Sequence, residues 1–162
     1  MKKQYKVFIL RHADMFREEP RVLNTHGVKQ AHHLGKTLSQ YGYRHLILSS
    51  PYVRTSQTAE IIAGHVSTIS IESLDILREY EPGESLDEMI ERAGIALQMA
   101  CALFRFNPII ISHREPIRAM VASIFNKNLR EIAVPKAGGF VLNFDGLSSQ
   151  YTNAETYKKE LL

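Results

Sequence analysis

The chain has 162 residues, of which 44% are hydrophobic and 23% charged, with a formal net charge of +3. This length suits one compact domain over residues 1–162, and this composition argues against a disordered chain. The positive excess is too small to indicate nucleic-acid binding, so it favours a local positive cleft for a small anion.

Cysteine count and hydropathy exclude further classes of protein. The single cysteine excludes an intrachain disulfide and a cysteine-rich metal site. No segment approaches the roughly 20 apolar residues that a membrane span needs, and no signal peptide is recognisable. We therefore expect a cytoplasmic protein without a membrane partner.

The first half of the chain alternates strand and helix patterns. Residues 5–10 are a nearly continuous apolar run, typical of a strand covered on both faces. Apolar residues at helical spacing from Val28 to Leu38 predict a helix that Gly42 closes. Residues 45–50 predict a second strand. Pro51 then stands where the first turn of a helix that runs to about Ala63 tolerates proline.

The second half continues this alternation. Residues 68–71 form a short candidate strand, and residues 85–88 fit a capping box that opens a helix extending to Phe104. A strand is predicted at 109–111, followed by a helix, and a last strand at 140–144. The polar tail from about residue 151 is expected to fray or dock loosely. The alternation predicts a three-layer α/β/α sandwich with a mostly parallel central sheet.

Basic residues follow three of the predicted strands, at the sheet edge where such folds bind ligands. The first strand runs into Arg11 and His12, the second is followed by Arg54, and the strand at 109–111 leads to His113. Arginine can donate two hydrogen bonds to a phosphate, and Arg54 lies near a helix N-terminus, which also favours an anion. Nearby guanidinium groups would also keep a histidine unprotonated and able to attack phosphorus.

Four ordered segments of the chain resemble the histidine phosphatase superfamily, which includes the cofactor-dependent phosphoglycerate mutases; they are Leu10–Ala13, Thr25–Ala31, Ser49–Ala59 and Ser112–Arg118. The short length looks most similar to the phosphohistidine phosphatases of bacterial phosphorelays and to small, broadly acting phosphatases. The resemblance implies a phosphoglycerate mutase-like fold and a metal-independent phosphatase that needs no cofactor. Its expected partner is a phosphorylated small molecule or a phosphoprotein.

The resemblance also implies a role for each residue of the cluster. His12 would be the nucleophile that forms a phosphohistidine. Arg11 and Arg54 would clamp the phosphate. His113 would donate a hydrogen bond to a phosphate oxygen and stabilise the transition state.

A carboxylate usually protonates the leaving group in this family, in a Leu-x-Glu setting. Residues 77–79 match that pattern, which makes Glu79 the candidate acid. Glu81 and Glu84 are close enough in sequence to compete, because a loop can present any of the three.

Two positions depart from the family pattern. Ala13 stands where the first motif commonly has glycine, and Arg114 follows the second histidine where glycine is frequent. Arg114 could add a third cation at the rim of the pocket, or it could point to solvent. Asn24 could touch the phosphate, and Thr25 is expected to cap the first helix.

Metal binding is not expected. His32 and His33 are adjacent on a helix and so do not share a face. His26, His45 and His65 have no ligand partner at metal spacing.

Two other functions stay open, and a third is disfavoured. A catalytically inactive module could bind a phosphorylated ligand, and a phosphomutase would use the same residues. The short loops disfavour a mutase, which must retain its intermediate. RNA binding is disfavoured because basic and aromatic residues do not interleave in any predicted strand.

Overall fold

The computed structural model describes residues 4–148 and 150–157. Within these ranges six strands form one sheet: β1 (Tyr5–Arg11), β2 (Arg44–Ser49), β3 (Ser67–Ser73), β4 (Ile109–Ser112), β5 (Gly139–Phe144) and β6 (Asn153–Tyr157). Four α-helices accompany the sheet: α1 (Thr25–Ser39), α2 (Val53–Ala63), α3 (Leu86–Ala102) and α4 (Arg114–Ala122). In the same described ranges, no helix has the length and apolar character needed to cross a membrane.

The strands are arranged in the order β3-β2-β4-β1-β5-β6. The four strands β3, β2, β4 and β1 are mutually parallel, whereas β5 and β6 are antiparallel to their neighbours. The carboxyl ends of β2, β4 and β1 therefore lie side by side at one edge of the sheet. This arrangement confirms the prediction of an α/β fold with a mostly parallel sheet.

Two hydrophobic cores, one on each face of the sheet, make the fold a three-layer sandwich. Alternate residues of β1 point to opposite faces, as the pleat of a strand requires. Val7 and Ile9 join a core with α3 and α4, whereas Phe8 and Leu10 join a core with α1 and α2. All four of these side chains are fully buried, which explains why the β1 sequence is continuously apolar.

The predictions of where helices begin are confirmed in part. The capping box at Ser85 is confirmed, because its side chain accepts from the Glu88 N–H and Glu88 in turn accepts from the Ser85 N–H. The prediction that Thr25 caps α1 is wrong. Asn24 is the cap, and its Oδ1 accepts from the Gly27 N–H at 2.7 Å. Helix α2 begins at Val53, two residues after Pro51.

The polar tail differs from expectation between residues 153 and 157. This segment forms β6, an edge strand that pairs with β5 through its backbone, so its polar side chains do not prevent pairing. Tyr157 is buried, and its ring packs edge-on against Phe8 with centroids 5.8 Å apart. Residues 158–162 lie outside the described ranges.

Candidate active site

The three predicted strand ends meet, and they bring Arg11, His12, Arg54 and His113 together. The rings of His12 and His113 lie with their centroids 5.4 Å apart, and an Arg54 guanidinium nitrogen lies 3.3 Å from His113 Nδ1. Only 2% of His12, 3% of Arg54 and 1% of His113 is exposed. The fold thus holds two imidazoles and two guanidinium groups in one small volume.

His12 is held in a single tautomer. Its Nδ1 lies 2.8 Å from the Ala13 carbonyl oxygen, which can only accept, so Nδ1 carries the hydrogen. Burial lowers the pKa of His12 from 6.5 to about 3, with further lowering by the charges of Arg54 and Arg11. At neutral pH the ring is therefore uncharged, and Nε2 keeps a free lone pair.

His113 is neutral for the same reasons but has different partners. Burial lowers its pKa to about 2, and neighbouring His12, Arg54 and Arg11 add to this effect. Its Nε2 lies 2.8 Å from the hydroxyl oxygen of Ser50. Because arginine can only donate, the Nδ1 that faces Arg54 accepts, and Nε2–H donates to Ser50.

Arg54 is fixed by contacts around its guanidinium group. It lies over the ring of Tyr52, 4.7 Å from the centroid, and Tyr52 in turn packs edge-on against His113 at 5.2 Å. Its remaining contact is an ion pair with Glu79, whose side chain is 40% exposed. Arg54 therefore links the second histidine to the candidate acid.

Arg11 is the second arginine whose charge acts on His12. One of its terminal nitrogens donates to the Val134 carbonyl oxygen at 2.9 Å. Its pKa is lowered by burial first, and next by the charge of Arg114. Within the described ranges, the Nε atoms of Arg11 and Arg54 are both buried without a hydrogen-bond partner.

Residues of the sequence motifs support the loop that carries His12. The Ala13 N–H donates to Thr58 Oγ1 at 3.1 Å, and that hydroxyl donates to the Arg54 carbonyl at 2.7 Å. A side chain at Gly27 would not fit, because its Cβ would lie 1.8 Å from the Asp14 carbonyl oxygen. Helix α1 can therefore pack directly against this loop.

The three candidate acids occupy different environments. Glu79 contacts Arg54, and Glu81 joins it in lining an adjacent cleft of about 550 Å³. Glu84 is only 8% exposed and forms ion pairs with Arg78 and Arg92. Its hydrogen bond with Arg92 lowers the pKa of Glu84, which makes it a poor proton donor. The geometry favours Glu79.

The two remaining rim candidates have different outcomes. The prediction that Asn24 touches the phosphate is not supported, because its side chain is used elsewhere. It caps α1 and donates to the Asp14 carboxylate at 2.9 Å. Arg114 is the first residue of α4, and its charge lowers the pKa of Arg11. Its side chain is 54% exposed and forms an ion pair with Glu115.

The sequence reasoning missed several contacts. Nothing in the sequence indicates the hydrogen bond between Ser50 and His113. The sequence also gives no indication that Nε2 of His65 lies 2.8 Å from Nδ1 of His32. Among the residues that the structure describes, no group of three or more metal-ligating side chains clusters.

Several solved structures share the fold of this chain. The chain matches the protein histidine phosphatase SixA complexed with tungstate, at 20% identity and a TM-score of 0.68, covering 94% of each chain. It matches a phosphoserine phosphatase from Entamoeba histolytica in complex with 3-phosphoglyceric acid, at 14% identity and a TM-score of 0.73, covering 96% of this chain and 98% of that one. A mycobacterial glucosyl-3-phosphoglycerate phosphatase matches at 14% identity and a TM-score of 0.72, covering 95% and 97%. The fold is therefore phosphoglycerate mutase-like.

A family model matches the amino-terminal part of the sequence. Residues 8–83 match the model of the histidine phosphatase superfamily (branch 1), and this segment contains Arg11, His12, Arg54 and Glu79. The match agrees with the resemblance over three of the four sequence segments, and Ser112–Arg118 lies beyond it. No curated protein matches the sequence.

Proposed function

We propose that the protein is a metal-independent phosphatase that acts through a phosphohistidine intermediate on His12. Its substrate would be a phosphoprotein carrying phosphohistidine or a small phosphomonoester. The observation that carries this proposal is the state of His12. Its Nδ1–H is committed to the Ala13 carbonyl, and burial and two arginines keep the ring uncharged. The lone pair on Nε2 is then available to attack phosphorus.

The first chemical step transfers the phosphoryl group to the enzyme. Nε2 of His12 bonds to phosphorus while the bond from phosphorus to the leaving atom breaks. Arg11 and Arg54 balance the charge on the phosphoryl oxygens, where their buried, unpartnered Nε–H groups add to the positive potential. Glu79, which takes up a proton once its ion pair with Arg54 is broken, gives that proton to the leaving oxygen. A phosphate on Arg54 would compete with Glu79 for that guanidinium and so free the carboxyl group to turn.

The second step returns the enzyme to its starting state. Water attacks phosphorus, the bond to Nε2 of His12 breaks, and Glu79 accepts the proton of the water. Inorganic phosphate leaves, and His12 is again neutral. If the leaving group is the imidazole of a phosphohistidine, it departs readily, and the acid contributes less.

His113 takes part by changing its tautomer. When Arg54 turns to the phosphate, Nδ1 of His113 loses a donor, and the Ser50 hydroxyl can donate to Nε2 instead of accepting. Nδ1 then carries the hydrogen and donates to a phosphate oxygen. Ser50 can serve in both states because a hydroxyl group both donates and accepts.

Hydrolysis of p-nitrophenyl phosphate in excess EDTA tests this proposal. We expect turnover in the wild type that EDTA does not reduce, and loss of turnover in His12→Ala. The matched control is His33→Ala, which removes a histidine on α1 that contributes nothing to the cluster. If the folded wild type binds phosphate but hydrolyses no p-nitrophenyl phosphate, the protein would instead be a phospho-ligand binding module. Activity that survives in His12→Ala would contradict the assigned nucleophile.

A further inference from the structure

A second group of cations lies beside the proposed phosphate clamp, on α4. The Nε of Arg114 donates to a carboxylate oxygen of Glu115 at 2.8 Å, and a terminal nitrogen of Arg118 donates to the same oxygen at 3.0 Å. One carboxylate is thus shared by two guanidinium groups. The pair of arginines keeps one positive charge in excess.

Backbone carbonyls place this group next to Arg11. The Nε of Arg118 donates to the Ile132 carbonyl at 2.8 Å, two residues before the Val134 carbonyl that receives Arg11. The segment 132–134 therefore holds Arg118 and Arg11 close together. In agreement with this geometry, the charges of Arg114 and Arg118 both lower the pKa of Arg11.

Arg114 differs from Arg118 in its access to solvent. The Arg114 side chain is 54% exposed, whereas that of Arg118 is 19% exposed. Arg118 is held by one carbonyl and one carboxylate, but Arg114 has Glu115 as its ion-pair partner. The Arg114 guanidinium is therefore open to solvent, while Glu115, itself held by Arg118, keeps it in place.

The cleft around Arg54 has a different balance of charge. Its lining contains three carboxylates, Glu19, Glu79 and Glu81, against two guanidinium groups, Arg21 and Arg54. Lys136, a further cation near His12, forms an ion pair with Asp14. The accessible excess of positive charge is therefore on the α4 side.

We infer that Arg114, held by Glu115 and Arg118, forms a second anion subsite beside the phosphate clamp. This inference rests on the proposed phosphatase function and names its substrate class. The substrate is a phosphorylated compound that carries a second anionic group, a carboxylate or another phosphate, close to the phosphate that is transferred. Of the two readings of Arg114 that the sequence left open, this selects a cation at the rim of the pocket.

Aryl phosphates that differ in one charge test the subsite. The carboxylated substrates are 3- and 4-carboxyphenyl phosphate, and the neutral controls of equal size are the two carbamoylphenyl phosphates. For at least one isomer we expect the wild type to show a kcat/KM for the carboxylate that is about 3 to 10 times that for the amide. High salt should reduce this ratio, because the cation is exposed.

Two variants with the same change of charge show which arginine is responsible. Arg114→Gln should bring the ratio of carboxylate to amide close to one. Arg44→Gln is the control, because Arg44 is exposed at the amino-terminal end of β2, at the opposite edge of the sheet. It should retain the wild-type ratio. A wild-type ratio near one for both isomers, or a ratio that persists in Arg114→Gln, would overturn the inference.

A failure of the phosphatase proposal can be separated from a failure of the subsite. If no aryl phosphate is hydrolysed, the proposed function fails, and the same comparison is made by calorimetry with the corresponding aryl phosphonates. Tighter binding of the carboxylated phosphonate by the wild type, and not by Arg114→Gln, would still support the subsite. Equal affinities for the carboxylate and the amide would refute it.

Discussion

Acidification from pH 7 to pH 5 should destabilise the protein through His12 and His113. Each has a pKa lowered from 6.5, to about 3 and about 2 respectively, mainly by burial. Below pH 6.5 the unfolded chain therefore binds protons that the folded protein does not bind. The free energy of unfolding falls as the pH decreases, until the folded pKa is reached.

The size of this effect follows from the pH interval. Both rings stay neutral in the folded protein at pH 5, so the result depends only on how far pH 5 lies below 6.5. Each histidine then lowers the free energy of unfolding by about 2 kcal/mol between pH 7 and pH 5, and the two together lower it by about 4 kcal/mol. This loss is a large part of the free energy of unfolding of a typical domain, which is about 5 to 15 kcal/mol.

The chosen interval separates the histidines from a carboxylate with the opposite behaviour. Burial opposes ionisation of Asp14, but hydrogen bonds from Lys136 and Asn24 outweigh it and lower the pKa from 3.8 to about 2. The stability that Asp14 contributes is therefore present above pH 3.8 and lost as the pH falls towards 2. Between pH 7 and pH 5 it changes little.

Urea denaturation at pH 7 and pH 5, followed by circular dichroism in phosphate-free buffer, measures the effect. The wild type is compared with the double variant His12→Asn, His113→Asn, in which neither position can titrate. We expect the loss of stability on acidification to be about 4 kcal/mol smaller in the double variant. His45, whose pKa burial also lowers, is present in both proteins and does not affect the difference. An equal loss in the two proteins would refute the assignment of buried, neutral imidazoles.

Three further substitutions test the packing and the roles around the site. Gly27→Ala should lower the free energy of unfolding, measured in urea, by about 1 to 3 kcal/mol, because the Cβ of alanine would lie 1.8 Å from the Asp14 carbonyl oxygen. Gly94→Ala is the control, because a Cβ at that position has open space and should not destabilise the protein. Ser50→Ala should reduce kcat for p-nitrophenyl phosphate about tenfold, which corresponds to the free energy of about one hydrogen bond. Ser50→Thr keeps the hydroxyl group and should restore most of the activity. An unchanged kcat in Ser50→Ala would exclude a role for Ser50 in the tautomer change of His113. Glu79→Gln should reduce kcat for alkyl phosphates more than for p-nitrophenyl phosphate, whose leaving group needs no proton, and equal losses would argue against Glu79 as the acid.

The cluster of cations could be predicted because its residues follow parallel strands. Arg11 is the last residue of β1 and His12 follows it, His113 follows β4, and Arg54 lies in the first turn of α2, the helix after β2. Parallel strands bring their carboxyl ends to one edge, so alternation of strands and helices was enough to bring these residues together. The continuous apolar β1 sequence likewise predicted a strand covered on both faces.

Other features depend on contacts that no local pattern records. The hydrogen bond between His32 and His65 joins the middle of α1 to the residue after the C-cap of α2. Gly35 makes room for this contact, since a Cβ there would lie 2.7 Å from the His65 ring. Strand β6 has a polar sequence and forms because the edge of β5 offers backbone partners. Asn24 and Thr25 are both good capping residues, and only the chain direction before α1 decides between them.

Trapping the phosphorylated enzyme tests the central claim most directly. The wild type and His12→Ala are mixed with ³²P-labelled substrate, quenched within one turnover and split between acid and base. The account predicts a labelled wild type whose phosphate is lost in acid and retained in base, as expected for phosphohistidine, and no label in His12→Ala. An acid-stable phosphoenzyme, or equal labelling of His12→Ala, would contradict nucleophilic attack by His12.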